Sequence, residues 1–248
     1  MRREKASRAF SLRVLLGSFG IRLPVGAFML KVGLTGGIAS GKSVVGEMFV
    51  ALGACLVQAD RIAHELMLPG QPVYNQVVRH FGGGILNPDL SVNRAKLADA
   101  AFGSGGGAAI RTASYATSRV EELNRIVHPA VLRSQEEWME DMGRNDPHAV
   151  AMVEAALILE AGAAKRFDRL IVVTCSDEQR VVRFAARHKL SIDVARKEVE
   201  RRMAAQLPEA EKIKAADFVI DNSGPLDRTR EQVLRLWQEL LSEATSRS

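Results

Sequence analysis

Apolar residues occur along this chain in short, nearly continuous runs, separated by longer stretches in which they recur with helical spacing. Five runs predict buried strands, at residues 29–35, 54–57, 149–159, 170–174 and 218–220. Strands of a parallel sheet that is covered on both faces have this continuous apolar pattern. The alternation of such strands with helical segments predicts an α/β fold with a doubly wound parallel five-stranded sheet.

Two helical regions interrupt the predicted sheet. Residues 61–148 hold amphipathic patterns at 72–81, 92–102 and 120–142 and no convincing strand, which predicts a helical insertion. Two arginine-rich helices are expected at 177–188 and 191–206, before the last strand. The chain is expected to end in a helix that packs on the sheet.

The junction between the first strand and the first helix matches the phosphate-binding pattern G-x-x-x-x-G-K-[ST]. It reads Gly36-Gly37-Ile38-Ala39-Ser40-Gly41-Lys42-Ser43. Glycines let backbone N–H groups approach a phosphate in unusual dihedral angles, and the helix N-terminus adds partial positive charge. Lys42 is expected to reach the β- and γ-phosphates, and the Ser43 hydroxyl to complete the coordination shell of Mg²⁺. The alternative, a turn that merely joins two elements, is disfavoured by the flanking strand and helix.

An acidic residue follows the second predicted strand. Asp60 comes directly after Gln58 and Ala59 and opens a helix expected at 61–68. We place this strand next to the P-loop strand, so that the carboxylate faces the phosphates from the carboxyl edge of the sheet, where open α/β sheets bind ligands. Asp is also a good helix N-cap, and the two roles are compatible.

The net charge of +5 is confined to one end of the chain. Residues 1–28 carry six basic side chains and one acidic side chain, whereas residues 29–248 carry 28 of each. This balance predicts no nucleic-acid partner for the body of the protein. The basic segment is open to three interpretations: a targeting presequence, a nucleic-acid arm, or codons upstream of a start at Met29. We favour a non-essential extension.

Cysteine and histidine usage predicts neither a disulfide nor a zinc site. Cys55 and Cys175 lie in apolar runs, and the five histidines show no metal-ligand spacing. Free buried cysteines are typical of a reducing cytoplasm. No apolar run reaches the roughly 18 residues of a membrane span. We therefore expect a cytoplasmic protein with no membrane partner, and the sequence leaves the oligomeric state open.

The ordered motifs resemble those of the dephospho-coenzyme A kinases, a family of P-loop nucleotide kinases. The similarity extends over residues 29–233 and includes the P-loop, Ala59-Asp60 and the segments 123–129, 206–212 and 216–224. Ala39 stands where the family usually has glycine, and Gln58 where it usually has the first Asp of Asp-Ala-Asp. The acid role therefore rests on Asp60 alone. Residues 103–119 are longer than the family leads us to expect.

The resemblance implies ATP-dependent phosphorylation of the ribose 3′-hydroxyl of dephospho-coenzyme A, giving coenzyme A and ADP, the last step of coenzyme A biosynthesis. ATP and Mg²⁺ are the implied cofactors, and the partners are small-molecule substrates. The implied parts are a nucleotide core at 29–60, 149–182 and 215–248, an acceptor-binding insertion at 61–148 and a lid at 183–214.

Phosphoryl transfer needs a proton acceptor and cations on the phosphoryl oxygens. Asp60, Lys42 and Arg187 are the predicted catalytic residues. The predicted nucleotide site consists of Gly37, Ile38, Ala39, Ser40, Gly41, Lys42, Ser43, Val44, Arg201 and Asn222. Arg202 is an alternative to Arg201, and any of these arginines could instead be a solvated surface charge.

Several other choices stay open. His128 could contact a ligand or be a hydrogen-bonded core histidine, and Glu160 could hold a metal-bound water or cap a helix. The rival functions are a kinase for a nucleoside or nucleoside monophosphate and a non-catalytic nucleotide switch. Asp60 together with the arginine-rich lid disfavours the switch.

Overall fold

The computed structural model describes residues 29–102 and 113–246. The basic segment 1–28 and residues 103–112 lie outside the described residues. The predictions made for those two segments stay predictions.

Strands and helices alternate along the described chain. The strands are β1 (Leu30–Thr35), β2 (Cys55–Gln58), β3 (Val150–Glu154), β4 (Arg169–Thr174) and β5 (Phe218–Asp221). The helices are α1 (Lys42–Leu52), α2 (Ala59–Leu66), α3 (Pro72–Phe81), α4 (Arg94–Phe102), α5 (Ala113–Asn145), α6 (Asp177–His188), α7 (Ile192–Ala204), α8 (Glu209–Lys214) and α9 (Leu226–Ser246). Short 3₁₀ turns lie at Gly83–Ile85 and Ala164–Arg166.

The five strands form one all-parallel sheet in the order β2-β3-β1-β4-β5. This confirms the predicted α/β class, with the helical crossovers that parallel strands require. One expectation about the order is wrong, because β2 pairs with β3 and not with the P-loop strand β1. Asp60 therefore follows a strand that is one position farther from the P-loop than expected.

Successive residues of the central strands bury themselves in different cores, which explains their continuous apolar pattern. Val150 and Met152 of β3 pack in the main core with α1 and α9, whereas Ala151 and Val153 pack with Met139 of α5. The predicted run at 149–159 is nevertheless longer than the strand, because β3 ends at Glu154 and the chain then turns. Helices thus cover both faces of the sheet.

The helical insertion has its own small core. Val73 and Val77 of α3 pack with Ile85, with Leu97 of α4 and with Ala130 of α5. A further cluster joins α6 to α7 through Phe184 and Val199, among others. Among residues 29–102 and 113–246, no helix combines the length and the apolar character needed to cross a membrane.

Candidate active site

The P-loop wraps around the Lys42 ammonium. Its Nζ donates to the carbonyl oxygens of Gly36 and Gly37 at 2.9 and 3.0 Å. Burial lowers the pKa of Lys42 from 10.5 to about 8, and the nearby carboxylate of Glu154 partly opposes that shift. The lysine is thus held at the centre of the loop, and its positive charge depends on pH near that value.

The start of α1 depends on a glycine in the left-handed region. Gly41 has φ 93°, and a Cβ at this position would lie 2.1 Å from Nδ2 of Asn222. Nδ2 of Asn222 donates to the Ser40 carbonyl at 2.9 Å, and Oδ1 of Asn222 accepts from the Thr229 hydroxyl at 3.0 Å. Asn222, which is buried, therefore clamps the loop from the end of β5.

A buried carboxylate lies beside the P-loop serine. Ser43 Oγ donates to Glu154 Oε1 at 2.7 Å, and Gln58 Nε2 donates to Glu154 Oε2 at 2.9 Å. The sheet register produces this arrangement, since Glu154 at the end of β3 is paired with Leu34 on one side and with Gln58 on the other. Sequence analysis missed this role of Glu154, although a lone acid in a buried strand is a usable signal.

A cavity of about 580 Å³ lies over the P-loop. Its lining is Ile38, Ala39, Gly41, Lys42, Ser43, Val44, Arg183, Phe184, Arg187, His188, Arg202, Asn222 and Leu226. Cationic side chains thus face the helix N-terminus across an open space, an arrangement that suits a polyphosphate. The missed arginine, Arg183, donates to the carbonyls of Ser40 and Asn222 at 3.3 and 2.8 Å; its spacing of four from Arg187 puts both on one helix face.

A second cavity of about 240 Å³ lies beside the end of β3. Asp60 and Ala63 line it from α2, and His128 and Gln135 from α5. The cavity also includes Val153 and Ala155, the two neighbours of Glu154. His128 is exposed on this surface and is not a core histidine.

Three predicted nucleotide residues do not line the first cavity. Gly37 borders a smaller cavity behind the loop, and Ser40 is buried with its carbonyl held by Asn222. Arg201 is largely exposed and makes a bidentate pair with Glu198, with both N···O distances at 2.8 Å. The neighbouring Arg202 lines the cavity instead, with its guanidinium 5.3 Å from the Phe184 ring centroid.

Two further expectations are corrected. Helix α2 begins at Ala59 with Gln58 as its N-cap, so Asp60 lies in the first turn and is not the cap. Glu160 does not cap a helix, and it lines neither the first nor the second cavity. Its Oε1 accepts from the Leu207 N–H at 3.0 Å and pairs with the buried Lys212 ammonium at 2.7 Å, which ties the turn after β3 to residues 207–212.

The residues that could hold a divalent cation fit Mg²⁺. The Ser43 hydroxyl and the Glu154 carboxylate supply adjacent oxygens, the ligand type that Mg²⁺ prefers. Within the described residues, no group of three or more His, Cys, Asp or Glu side chains could hold a metal. A cation here would therefore depend on nucleotide phosphates and water for its other ligands.

Comparison with known proteins agrees with this geometry. The chain is 39% identical over 212 residues to the dephospho-CoA kinase of Moorella thermoacetica, covering 86% of this chain and 92% of that protein. It is 38% identical over 215 residues to the dephospho-CoA kinase of Geobacter metallireducens, covering 87% and 98%. A crystal structure from Thermus thermophilus superposes with a TM-score of 0.67 at 29% identity, covering 86% of this chain and 97% of that chain.

The family assignment rests on most of the chain. The sequence model described as dephospho-CoA kinase matches residues 30–228, from β1 into α9. That range contains the P-loop and the residues that line both cavities, including Arg183, Arg187 and Arg202. The chain belongs to the dephospho-CoA kinase family.

Proposed function

We propose that this chain transfers the γ-phosphoryl group of ATP to the ribose 3′-hydroxyl of dephospho-coenzyme A. The observation that carries the proposal is the family match over residues 30–228, which spans both cavities at the carboxyl edge of the sheet. The cavity over the P-loop takes ATP, and the cavity lined by Asp60 takes the acceptor. Ser43 lines the first cavity and is hydrogen-bonded to Glu154, whose neighbours Val153 and Ala155 line the second.

Asp60 accepts the proton of the acceptor hydroxyl in this proposal. Its carboxylate is exposed in the second cavity. Burial lowers the pKa of Lys42, and Asp60 is one of the carboxylates whose negative charge partly opposes that shift. The hydroxyl oxygen forms a bond to the γ-phosphorus as the bond to the ADP oxygen breaks. The proton released from the hydroxyl passes to Asp60.

The P-loop and the lid supply the positive charge. Lys42, Arg187 and Arg202 line the nucleotide cavity and would neutralise the phosphoryl oxygens. Mg²⁺ would be held by Ser43, with Glu154 fixing the serine hydroxyl, and when bound it neutralises charge on the β- and γ-phosphates. Arg201 stays a candidate for a closed lid, in which its pair with Glu198 would have to break.

The residues that line the two cavities support the proposed division into a nucleotide core, an acceptor-binding insertion and a lid. The core carries the P-loop and Asn222, the insertion at 61–148 supplies α5 to the acceptor cavity, and the lid at 183–214 supplies Arg187 and Arg202. Closure of the lid would exclude water and limit wasteful hydrolysis of ATP.

The experiment measures ADP release with each of five acceptors: dephospho-coenzyme A, AMP, CMP, uridine and none. We expect ADP and coenzyme A in equal amounts with dephospho-coenzyme A and only background with the others. Lys42→Ala is the control, and it should abolish turnover without unfolding the protein. Faster ADP release with AMP, CMP or uridine would assign a different acceptor, and ATP binding without ADP release above background with any acceptor would point to the non-catalytic nucleotide switch.

A further inference from the structure

Arg180 is the largest side chain among those fully inside the described protein. Only 1% of it is exposed, although it lies in α6 and carries a permanent charge. Burying a guanidinium is costly unless its N–H groups find partners. The partners of Arg180 therefore show what the burial of this charge achieves.

One arm of the guanidinium holds the P-loop backbone. Nη1 of Arg180 donates to the Ile38 carbonyl oxygen at 3.0 Å. The described chain has no cis peptide bond, so the N–H of Ala39 points away from the carbonyl that Arg180 holds. Ala39 lines the nucleotide cavity, whereas Arg180 lies behind the loop. Fixing the Ile38 carbonyl thus orients the Ala39 N–H for a phosphate.

The other arm of the guanidinium holds the lid. Nη2 of Arg180 forms an ion pair with Glu209, the first residue of α8. The remaining nitrogen, Nε, lies 3.5 Å from Asp177 Oδ1 without a hydrogen bond. Glu209, which is half-buried, is therefore the main carboxylate partner of this buried cation.

The fit around the guanidinium is close. A Cβ at Gly37 would lie 2.5 Å from Nη1 of Arg180, so the P-loop backbone rests against the guanidinium. A cavity of about 60 Å³ separates the loop from the lid segment, and its lining includes Gly37, Arg180, Pro208 and Glu209. Arg180 spans the space between the P-loop and the lid segment, the two parts that nucleotide binding must bring together.

We propose that Arg180 is a positioning residue that makes the phosphate cradle depend on the lid. Glu209 keeps the guanidinium in the rotamer in which it holds the Ile38–Ala39 peptide, and this peptide presents its N–H to the nucleotide phosphates. The inference rests on the proposed function only in taking the P-loop cavity as the ATP site. It adds a role for Arg180 and Glu209, neither of which was predicted as a site residue.

The test measures the affinity for Mg·ATP by calorimetry, without an acceptor, together with steady-state kinetics and melting temperature. We expect Arg180→Gln to weaken Mg·ATP binding about tenfold, the size of one lost hydrogen bond. The KM for ATP should rise in parallel, while the KM for the acceptor stays unchanged. Glu209→Gln should weaken binding less. The double variant should equal Arg180→Gln, because Glu209 acts only through Arg180.

Arg169 offers a matched control. It also donates to one carboxylate and one carbonyl, those of Glu243 and Asp168, both at 3.0 Å, but at the amino end of β4. Arg169→Gln should at most lower the melting temperature and leave Mg·ATP affinity at the wild-type value.

Three results would overturn the inference: wild-type Mg·ATP affinity in folded Arg180→Gln, wild-type affinity in Glu209→Gln, or additive effects in the double variant. If Arg180→Gln does not fold, Glu209→Gln decides alone. Because binding is measured without an acceptor, a wild-type protein that fails to phosphorylate dephospho-coenzyme A would refute the proposed function and leave this test intact.

Discussion

The Ser43 hydroxyl donates a 2.7 Å hydrogen bond to the buried carboxylate of Glu154, which joins the start of the P-loop helix to the end of β3. Gln58 holds the second oxygen of the same carboxylate. One acid thus receives hydrogen bonds from two elements, α1 and β2.

We expect Glu154→Gln to lower kcat about 10²–10³-fold, the range for one lost preorganised electrostatic group. The amide keeps the volume but removes the negative charge beside Ser43, so the Mg²⁺ concentration needed for half-maximal rate should rise. Rates measured over a Mg²⁺ titration check both effects. Glu47→Gln, on the exposed face of α1, is the control, because it removes the same charge away from the site. Normal rates at every Mg²⁺ concentration would remove Glu154 from the site.

Asp60→Asn should lower kcat about 10²–10⁴-fold, as expected for loss of a general base. ATP affinity should survive, because Asp60 lines the acceptor cavity and not the nucleotide cavity. Because Asp60 is in the first turn of α2 and does not cap it, the stability cost should stay within about 1 kcal/mol. Single-turnover rates, ATP titration and thermal melting measure the three quantities.

The Glu160→Gln variant tests whether Glu160 anchors the lid or is itself the proton acceptor. It weakens the pair with Lys212, so we expect a lower melting temperature and more ATP hydrolysis without acceptor, with chemistry largely kept. A near wild-type rate in Asp60→Asn together with an inactive Glu160→Gln would show that Glu160 is the base.

The pH dependence of kcat/KM for ATP should reflect the protonation state of Lys42. Its pKa is lowered to about 8, chiefly by burial, so the charge that binds ATP is lost as the pH rises through that value. We expect kcat/KM for ATP to fall above about pH 8. Since kcat/KM for the acceptor at saturating ATP reports the ATP complex, where phosphate keeps Lys42 protonated, that profile should lack the basic limb. Two identical profiles would contradict this assignment.

Stability should change in the opposite direction over the same range. The pKa of Lys42 is about 8 in the folded protein and 10.5 in the unfolded chain, so the unfolded chain binds more protons between those values. The free energy of unfolding contributed by Lys42 therefore rises from about pH 8 to about pH 10.5. Denaturant titrations of the wild type and Lys42→Met should differ in this slope.

The two adjacent lid arginines should differ in effect. Arg202 lines the nucleotide cavity and Arg201 does not, although both pair with Glu198. Hydrogen bonds from these arginines, Arg201 first, lower the pKa of Glu198 to about 2. Arg202→Gln should raise the KM for ATP about 10-fold or more, as for a lost charged hydrogen bond, and Arg201→Gln should raise it less. The reverse order would show that closure turns α7 to bring Arg201 inward.

Local patterns in the sequence are enough to predict much of this protein's structure. The P-loop motif predicted the strand, the turn and the helix that now surround Lys42, and five apolar runs predicted the five strands. The second arginine-rich helix, expected at 191–206, is formed by Ile192–Ala204, and Ser191 caps it with a side chain that accepts from the Val194 N–H. These features depend on neighbours within a few residues, so periodicity, glycine and capping residues suffice to predict them.

Contacts between distant segments were decided only by the tertiary structure. Inserting β3 between β1 and β2 brings Glu154, not Asp60, to Ser43, because pairing order reflects the packing of the whole sheet. The pair of Arg180 with Glu209 spans 29 residues. No period or spacing encodes such a pair, because its energy depends on burial and on partners that meet only when helices pack. The sequence by itself determined the local elements and the phosphate-binding loop, and the tertiary structure decided which charges face that loop.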